Sequence, residues 1–342
     1  MTRFSQYVGD GCSNINADLV TNCINNLKKG KASGLDGLMA EHLSFAHPAL
    51  VVHLSLLFTI LLKHSVVPDA FGRSVIIPLL KNADGNHFIS DNYRAITLSP
   101  VISKLFEMVI LALVDAQLQS DSLQYGFKPK SSCSHALLTL KTVIYHYVKD
   151  GSTVTICVLD SWTCLTPSTV LLLIDRHLPK NIIGVLHDWY LRCFVCVRWR
   201  GSYSYWFHIL AGVRQGGILS PLLFAVYMDV LIMRLRQRGL GCKLFDTFYG
   251  CLLYADDILL LAHSVNGMQQ MLEICDKFAL ELDMKFNIAK SVAIRIGSRY
   301  NIQCSPLTLS GISLKYVSAV KYLGVHIAVS YTHLTLPTKR IV

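Results

Sequence analysis

The chain has 342 residues, 52% of them apolar, enough to bury the core of one large domain or of two intertwined ones. Lys and Arg number 32 against 22 Asp and Glu, a formal charge of +10 with pI near 9.0. That balance argues against cationic partners and for a polyanion, either nucleic acid or an acidic membrane face.

The eleven cysteines form no zinc-type set, because only Cys193 and Cys196 have C-x-x-C spacing. They read as reduced, mostly buried thiols of an intracellular protein, in the cytoplasm, the nucleus or both. Met1 to Asn16 has no apolar run of the secretory kind. Mean hydropathy is high at +0.42. However, the longest apolar stretch, Ala49 to Leu62, is interrupted by His53 and Ser55. It also falls short of the roughly 20 residues a spanning helix needs, so no membrane partner is expected.

Taken in order, Asp18–Lys29 predicts a short helix ending in the basic cluster Lys28, Lys29 and Lys31. A turn-rich loop, Ser33–Gly37, leads to helical apolar spacing over Ala40–Lys63. Ser74–Leu80 is β-branched and apolar and predicts a strand; a polar loop, Lys81–Asn92, and a short extended piece, Arg94–Ser99, follow. Pro100 opens a helix to Gln119. Gln124–Ser132 is a basic loop, Ser134–Val148 a helix, and Thr153–Leu159 a strand ending on Asp160. Val170–Tyr190 is helical with a break near Pro179, and Phe194–Trp206 carries strand formers around a turn at Gly201. The Gly212–Gly217 loop feeds a helix over Ser220–Arg238, with Ser220 as N-cap. Strands Phe248–Tyr254 and Ile258–Ala262 flank Ala255-Asp256, and a helix over Met268–Leu282 follows. Short strands near Val292–Ile296 and Lys321–Ile327 complete an α+β order with no long repeat.

The strongest local feature is Tyr254-Ala255-Asp256-Asp257, set between apolar runs. Adjacent acids inside apolar strands are costly unless something compensates them. A tight hairpin would lift both carboxylates to its tip, where hard oxygen donors suit Mg²⁺. Asp160 ends a separate apolar strand, and if the two strands lie side by side, Asp160 and Asp256 meet at one edge. Carboxylates so placed can hold the two ions of phosphoryl transfer. A pair of turn aspartates on a surface hairpin is the alternative.

The tetrapeptide and several other ordered blocks resemble the reverse transcriptases of LINE-type (non-LTR) retrotransposons, whose metal-binding hairpin reads Y-A-D-D. The similarity runs from about Lys29 to Ile327. Lys31–Gly37 resembles the block ahead of the fingers, and Ile76–Lys81 with Asn92–Leu98 resembles the finger strands. Gln124–Pro129, the template-positioning Gly212–Pro221 and the primer-grip Lys321–Gly324 follow in the family's order.

The resemblance implies a right-hand polymerase with fingers and a palm, its antiparallel sheet packed on helices. It implies an N-terminal extension over 1–70, fingers over 71–150, and a palm with interleaved finger segments over 151–328. The thumb is expected to be missing, no endonuclease domain is expected ahead of the polymerase blocks, and 329–342 is expected to be a non-native tail. Asp160, Asp256 and Asp257 would be the catalytic and metal-binding acids, holding two Mg²⁺ ions with Mn²⁺ as an alternative. Lys81 and Arg94 would meet the incoming triphosphate. Arg214, Gln215 and Gly216 would position template and the nascent pair, and Tyr254 would pack near the primer end. Lys290, in an N-x-x-K with Asn287, would assist pyrophosphate departure. Lys28, Lys29, Lys31, Lys128 and Lys130 are candidate phosphate contacts. The implied partners are an RNA template, a DNA primer and deoxynucleoside triphosphates; protein partners are unknown.

One block departs from the family. D-x-x-K-A-F-D is replaced after Asp160 by Ser161-Trp162-Thr163-Cys164-Leu165-Thr166-Pro167. Leu165 stands where an aromatic screens the sugar 2′-position, and Thr163 and Thr166 replace the lysine and second acid. A local frame shift or decay would produce this, a hypothesis that an intact coding frame would count against. The leading reading is RNA-directed DNA polymerase. The alternatives are a non-catalytic remnant that retains only nucleic-acid binding, and a membrane-associated protein, which the short, interrupted apolar runs disfavour.

Overall fold

The computed structural model describes residues 15–81, 85–162, 169–209, 216–282 and 284–329. In chain order the main elements are α1 (Ala17–Asn25), α2 (Ala40–Ser44), α3 (Ala49–His64), α4 (Asp69–Gly72), β1 (Arg73–Leu80) and β2 (Tyr93–Leu98). Then come α5 (Val101–Val114), α6 (Cys133–Lys149), β3 (Thr153–Trp162), a 3₁₀ segment over Thr169–Arg176, α7 (Lys180–Leu191) and β4 (Phe194–Trp199). The remainder is α8 (Leu219–Arg238), β5 (Cys251–Tyr254), β6 (Asp257–Ala262), α9 (Val265–Glu281), β7 (Lys285–Phe286), β8 (Val292–Gly297), β9 (Lys315–Tyr316), β10 (Ala319–Tyr322) and β11 (Val325–Ala328). Mixed helix and sheet make this an α+β protein. The chain forms two compact units, each assembled from separate segments: Met1–Gln119 with Leu165–Leu223, and Ser120–Cys164 with Phe224–Val342.

In the first unit β1 pairs antiparallel with β2, from Val75 opposite Leu98 to Leu80 opposite Tyr93, and parallel with β4. Its helical core centres on aromatic rings that the sequence scatters widely. Phe58 of α3 stacks on Phe106 of α5 at 4.8 Å, and Phe106 stacks on Trp189 of α7 at 5.7 Å. Trp189 satisfies its indole N–H by donating to the Phe71 carbonyl at 3.2 Å, the usual condition for burying this side chain. The expected single helix over Ala40–Lys63 is two helices, α2 and α3, divided at Pro48. Proline offers no backbone donor and opens a helix better than it continues one.

The start of α8 also differs from expectation. The helix begins at Leu219, so Ser220 lies inside its first turn. The capping group is instead Glu107, 4% exposed within α5, whose Oε2 accepts from Ile218 N and, at 3.2 Å, from Leu219 N. A carboxylate there meets both unsatisfied amides and the positive end of the helix dipole.

In the second unit, β3 lies between β6 and β8 and is antiparallel to both, while β5 extends the sheet beyond β6. The sheet is not wholly antiparallel, because β9 joins β8 in parallel at the far edge. Val154, Ile156, Cys157 and Leu159 in β3, and every residue from Ile258 to Ala262 in β6, are fully buried. These central strands therefore read as almost continuous apolar runs. Helix α9 packs on β6 and β3 through Met268, Met271, Leu272, Cys275 and Phe278, a period of three to four. Helix α6 packs on β3 and β5. The last expected strand, Lys321–Ile327, is a hairpin of β10 and β11 turning at Leu323-Gly324. Among the described residues, no helix is long and apolar enough to cross a membrane.

Candidate active site

The acids gather at one edge of the second unit's sheet because of strand register. Asp257, the first residue of β6, stands directly opposite Asp160 of β3. It also closes the β5–β6 hairpin by pairing with Tyr254, leaving Ala255-Asp256 as a two-residue loop. Directly paired residues share a face, so the side chains of Asp160 and Asp257 project on the same side. The sequence brings Asp160 to the same edge as Asp256, as expected; the register makes Asp257 the residue opposite it, with Asp256 exposed in the loop.

Asp160 is held from several directions. Its backbone N–H donates to Ser291 Oγ at 3.3 Å, and its carbonyl accepts from Asn287 N at 2.8 Å. Its carboxylate accepts from Asn287 Nδ2 at 3.2 Å and faces Lys290 Nζ at 3.7 Å. The N-x-x-K pair is thus brought to the carboxylate edge, with Lys290 beside Asp160 rather than apart from it. Burial pushes the Asp257 carboxyl up to about 6, and the neighbouring charges of Asp256 and Asp160 push in the same direction.

Clustered carboxyls that resist ionising together form a site suited to a divalent cation, and their hard oxygens favour Mg²⁺ or Mn²⁺. Among the described residues, no three His, Cys, Asp or Glu side chains close on a single point.

Two tyrosines border the acids. Tyr254 is half-buried, and a neighbouring Cys133 thiol raises its pKa. Tyr322, in β10, is 2% exposed, and its hydroxyl has no partner among the described residues. Burial first, and then Asp257, push its pKa up.

The other expected site residues lie in the first unit. Arg94 is exposed on β2 opposite Leu79, and Lys81 continues the same register by donating its N–H to the Asn92 carbonyl at 2.8 Å. Alternation places Lys81 and Arg94 on one face. Gly216 has φ +117°, and a Cβ there would lie 2.6 Å from the Thr97 carbonyl of β2. Only glycine fits that close approach. Arg214, Gln215 and the altered Thr163–Thr166 segment with Leu165 lie outside the described residues.

The expected basic contacts divide. Lys128 donates to the carbonyls of Ser120 and Asp121 at 3.0 and 3.3 Å, so its ammonium staples a loop. Lys29 lies over the Phe45 ring. Lys28 and Lys31, with Lys104, line a cavity of about 730 Å³ whose remaining walls include Leu27, Val101 and Met108. Sequence reasoning missed Gln124 and Glu107. Gln124 opens the family-like block Gln124–Pro129, but nothing in that block assigns its side chain a role.

The profile of the family described as reverse transcriptase (RNA-dependent DNA polymerase) matches residues 80–327, most of the chain, and the chain belongs to that family. The resemblance to LINE-type (non-LTR) retrotransposon enzymes is borne out by its relatives. The Retrovirus-related Pol polyprotein from type-2 retrotransposable element R2DM of Drosophila melanogaster is 24% identical over 277 residues, covering 78% of this chain and 25% of that protein. The Retrovirus-related Pol polyprotein from type-1 retrotransposable element R2 of Popillia japonica is 27% identical over 290 residues, 82% of this chain and 39% of that protein. The RNA-directed DNA polymerase from mobile element jockey of Drosophila funebris is 23% identical over 321 residues, 90% of this chain and 34% of that protein. The chain therefore spans well under half the length of these relatives.

Proposed function

We propose that this chain is an RNA-directed DNA polymerase that extends a DNA primer along an RNA template by two-ion phosphoryl transfer. The observation that carries this reading is the register that sets Asp160 opposite Asp257, with Asp256 at the adjoining hairpin tip. In this reading the second unit is the palm and the first contributes the fingers. Asp160 and Asp256 would hold the two Mg²⁺ ions, with Asp257 as a weaker or outer ligand. The bound ions would activate the primer 3′-hydroxyl and neutralise charge on the departing pyrophosphate.

The chain's own groups supply orientation. Asn287 and the Ser291 hydroxyl fix β3 at Asp160, so the Asp160 carboxylate is aimed before any ligand arrives. Lys290, 3.7 Å from Asp160, adds a positive charge at the edge where pyrophosphate would leave. Arg94 and Lys81 share the exposed face of a finger hairpin and offer a forked and a point cation to a triphosphate. Arg214, Gln215 and Gly216 would steady the template and the nascent pair, and Tyr254 the primer terminus.

The test is incorporation of deoxynucleotides on a homopolymer RNA template with Mg²⁺, beside a chelated sample and an Asp256→Asn protein. Incorporation should vanish in both controls, and incorporation that persists with Asp256→Asn would overturn the assignment. Steeply salt-dependent RNA binding without incorporation would instead support the non-catalytic remnant, which the altered block after Asp160 favours.

A further inference from the structure

The hairpin that carries Asp256 is held by a segment far away in sequence. Leu123 and Tyr125 exchange backbone bonds with Leu253 of β5: Leu253 N donates to the Leu123 carbonyl at 2.9 Å, and Tyr125 N to the Leu253 carbonyl at 2.8 Å. Gln124 sits between these bonds, paired in parallel with Leu253 and wholly buried. Its Oε1 accepts from Gly126 N at 2.9 Å and from Ala255 N at 3.2 Å. Its Nε2 is buried and has no partner among the described residues. The side chain therefore works through its carbonyl oxygen alone.

Ala255 needs such a holder. It is a non-glycine residue at φ +55°, in a region L side chains visit rarely and leave when nothing fixes them. Gly126 closes the approach from the other side. A Cβ there would lie 2.3 Å from Ala255 N, so the segment presses directly against the loop backbone. Ala255 immediately precedes Asp256, and the orientation of its peptide sets the direction in which the Asp256 carboxylate leaves the tip.

We propose that Gln124 is the positioning residue of the catalytic hairpin: its buried carbonyl oxygen clamps the Ala255 amide and so aims Asp256 at the cation site. The consequence for cation binding rests on the function proposed above; the clamp itself does not. Gln124 is fully buried and contacts the loop backbone, so its effect passes through the loop.

The experiment compares the whole chain with Gln124→Met, which keeps length and burial but removes the acceptor. Gln124→Glu keeps an acceptor oxygen but replaces the unpartnered nitrogen with an ionisable oxygen, so it is read by hydrogen exchange and not by Mn²⁺ binding. Two readouts are taken: amide hydrogen exchange of the segment spanning residues 251–257 without metal, and Mn²⁺ binding followed by electron paramagnetic resonance. Loss of one hydrogen bond corresponds to about a tenfold change in either quantity. Gln124→Met should speed exchange at the hairpin about tenfold and weaken Mn²⁺ binding by a similar factor, with exchange over Val292–Gly297 unchanged. Gln124→Glu should return the slow exchange. If Gln124→Met does not fold, Gln124→Asn, which withdraws the same amide by one methylene, takes its place with the same expectation.

Hairpin exchange equal to the unaltered chain, or as fast in Gln124→Glu as in Gln124→Met, overturns the clamp. If the unaltered chain binds no Mn²⁺, the function proposed above fails, and the exchange measurement still decides the clamp. If exchange quickens while Mn²⁺ affinity stays level, the link from clamp to carboxylate is overturned.

Discussion

Asp160→Asn is expected to lower primer extension by about 10³-fold or more while leaving the fold intact. Asparagine keeps an oxygen to accept from Asn287 Nδ2, so the local packing around β3 survives. The negative charge that would hold a cation does not. A bound ion contributes several kcal/mol of charge stabilisation in the transition state, and about 4 kcal/mol corresponds to about 10³ in rate. Single-turnover extension at saturating Mg²⁺ measures the loss, and a variant within about tenfold of the unaltered chain would remove Asp160 from the chemistry.

The same cluster predicts the opposite response in stability. Asp257 has its carboxyl raised from 3.8 to about 6 by burial, with Asp256 and Asp160 adding to it. A raised carboxyl stabilises the fold only while protonated. Its contribution is complete below about pH 4 and is lost as pH climbs through about 6. At pH 7.5 in chelator the ionised Asp257 is therefore a liability. The full difference would be about 3 kcal/mol, and partial exposure reduces it to about 1–2 kcal/mol. Asp257→Asn should accordingly melt a few degrees higher at pH 7.5, lose that advantage near pH 4, and lose part of it when Mg²⁺ is added. A melting curve unmoved by the substitution at pH 7.5 in chelator would show that the three acids do not repel one another as their register implies.

These acids were the most legible part of the molecule. Strand period and the Y-A-D-D tetrapeptide are local signals, and a two-residue loop between apolar strands admits few geometries. Asp160 could be matched to the hairpin because an acid follows four apolar residues there, although β3 runs on past it to Trp162. The exact partner could not be read, since shifting an antiparallel pair by one residue exchanges Asp256 for Asp257 without changing the apolar pattern of either strand. Gln124 was not legible as a clamp, because its partner is 131 residues away and its own neighbours suggest only a loop. The division of Ala40–Lys63 was visible in principle at Pro48, but apolar spacing on both sides of it concealed the break. Ser220 looked like a cap because local sequence offers a hydroxyl before a proline, while the acceptor that does the capping belongs to another helix.

That helix supplies the second large effect. Glu107→Ala is expected to destabilise the chain by about 2–4 kcal/mol. Glu107 is buried in α5, and its Oε2 accepts from the amides of Ile218 and Leu219 at the start of α8. Alanine leaves two buried donors without that acceptor, each a charge-assisted bond of about 1.5–3 kcal/mol less whatever water recovers. It also removes an anion from the positive end of a 20-residue helix. Glu107→Gln keeps an oxygen in place and gives up only the charge, so it should cost about 1 kcal/mol. Urea denaturation of the three proteins gives both differences, with similar slopes expected because the surface exposed on unfolding hardly changes. The position also has a consequence for substrate. Gly216 is two residues before the clamped Ile218, so this carboxylate fixes the chain just after Arg214 and Gln215 in sequence. A loosened tether should therefore raise the KM for nucleotide in Glu107→Gln before it lowers kcat. If alanine and glutamine cost the same stability and leave KM unchanged, Glu107 serves as buried volume in α5, and the start of α8 is set by packing alone.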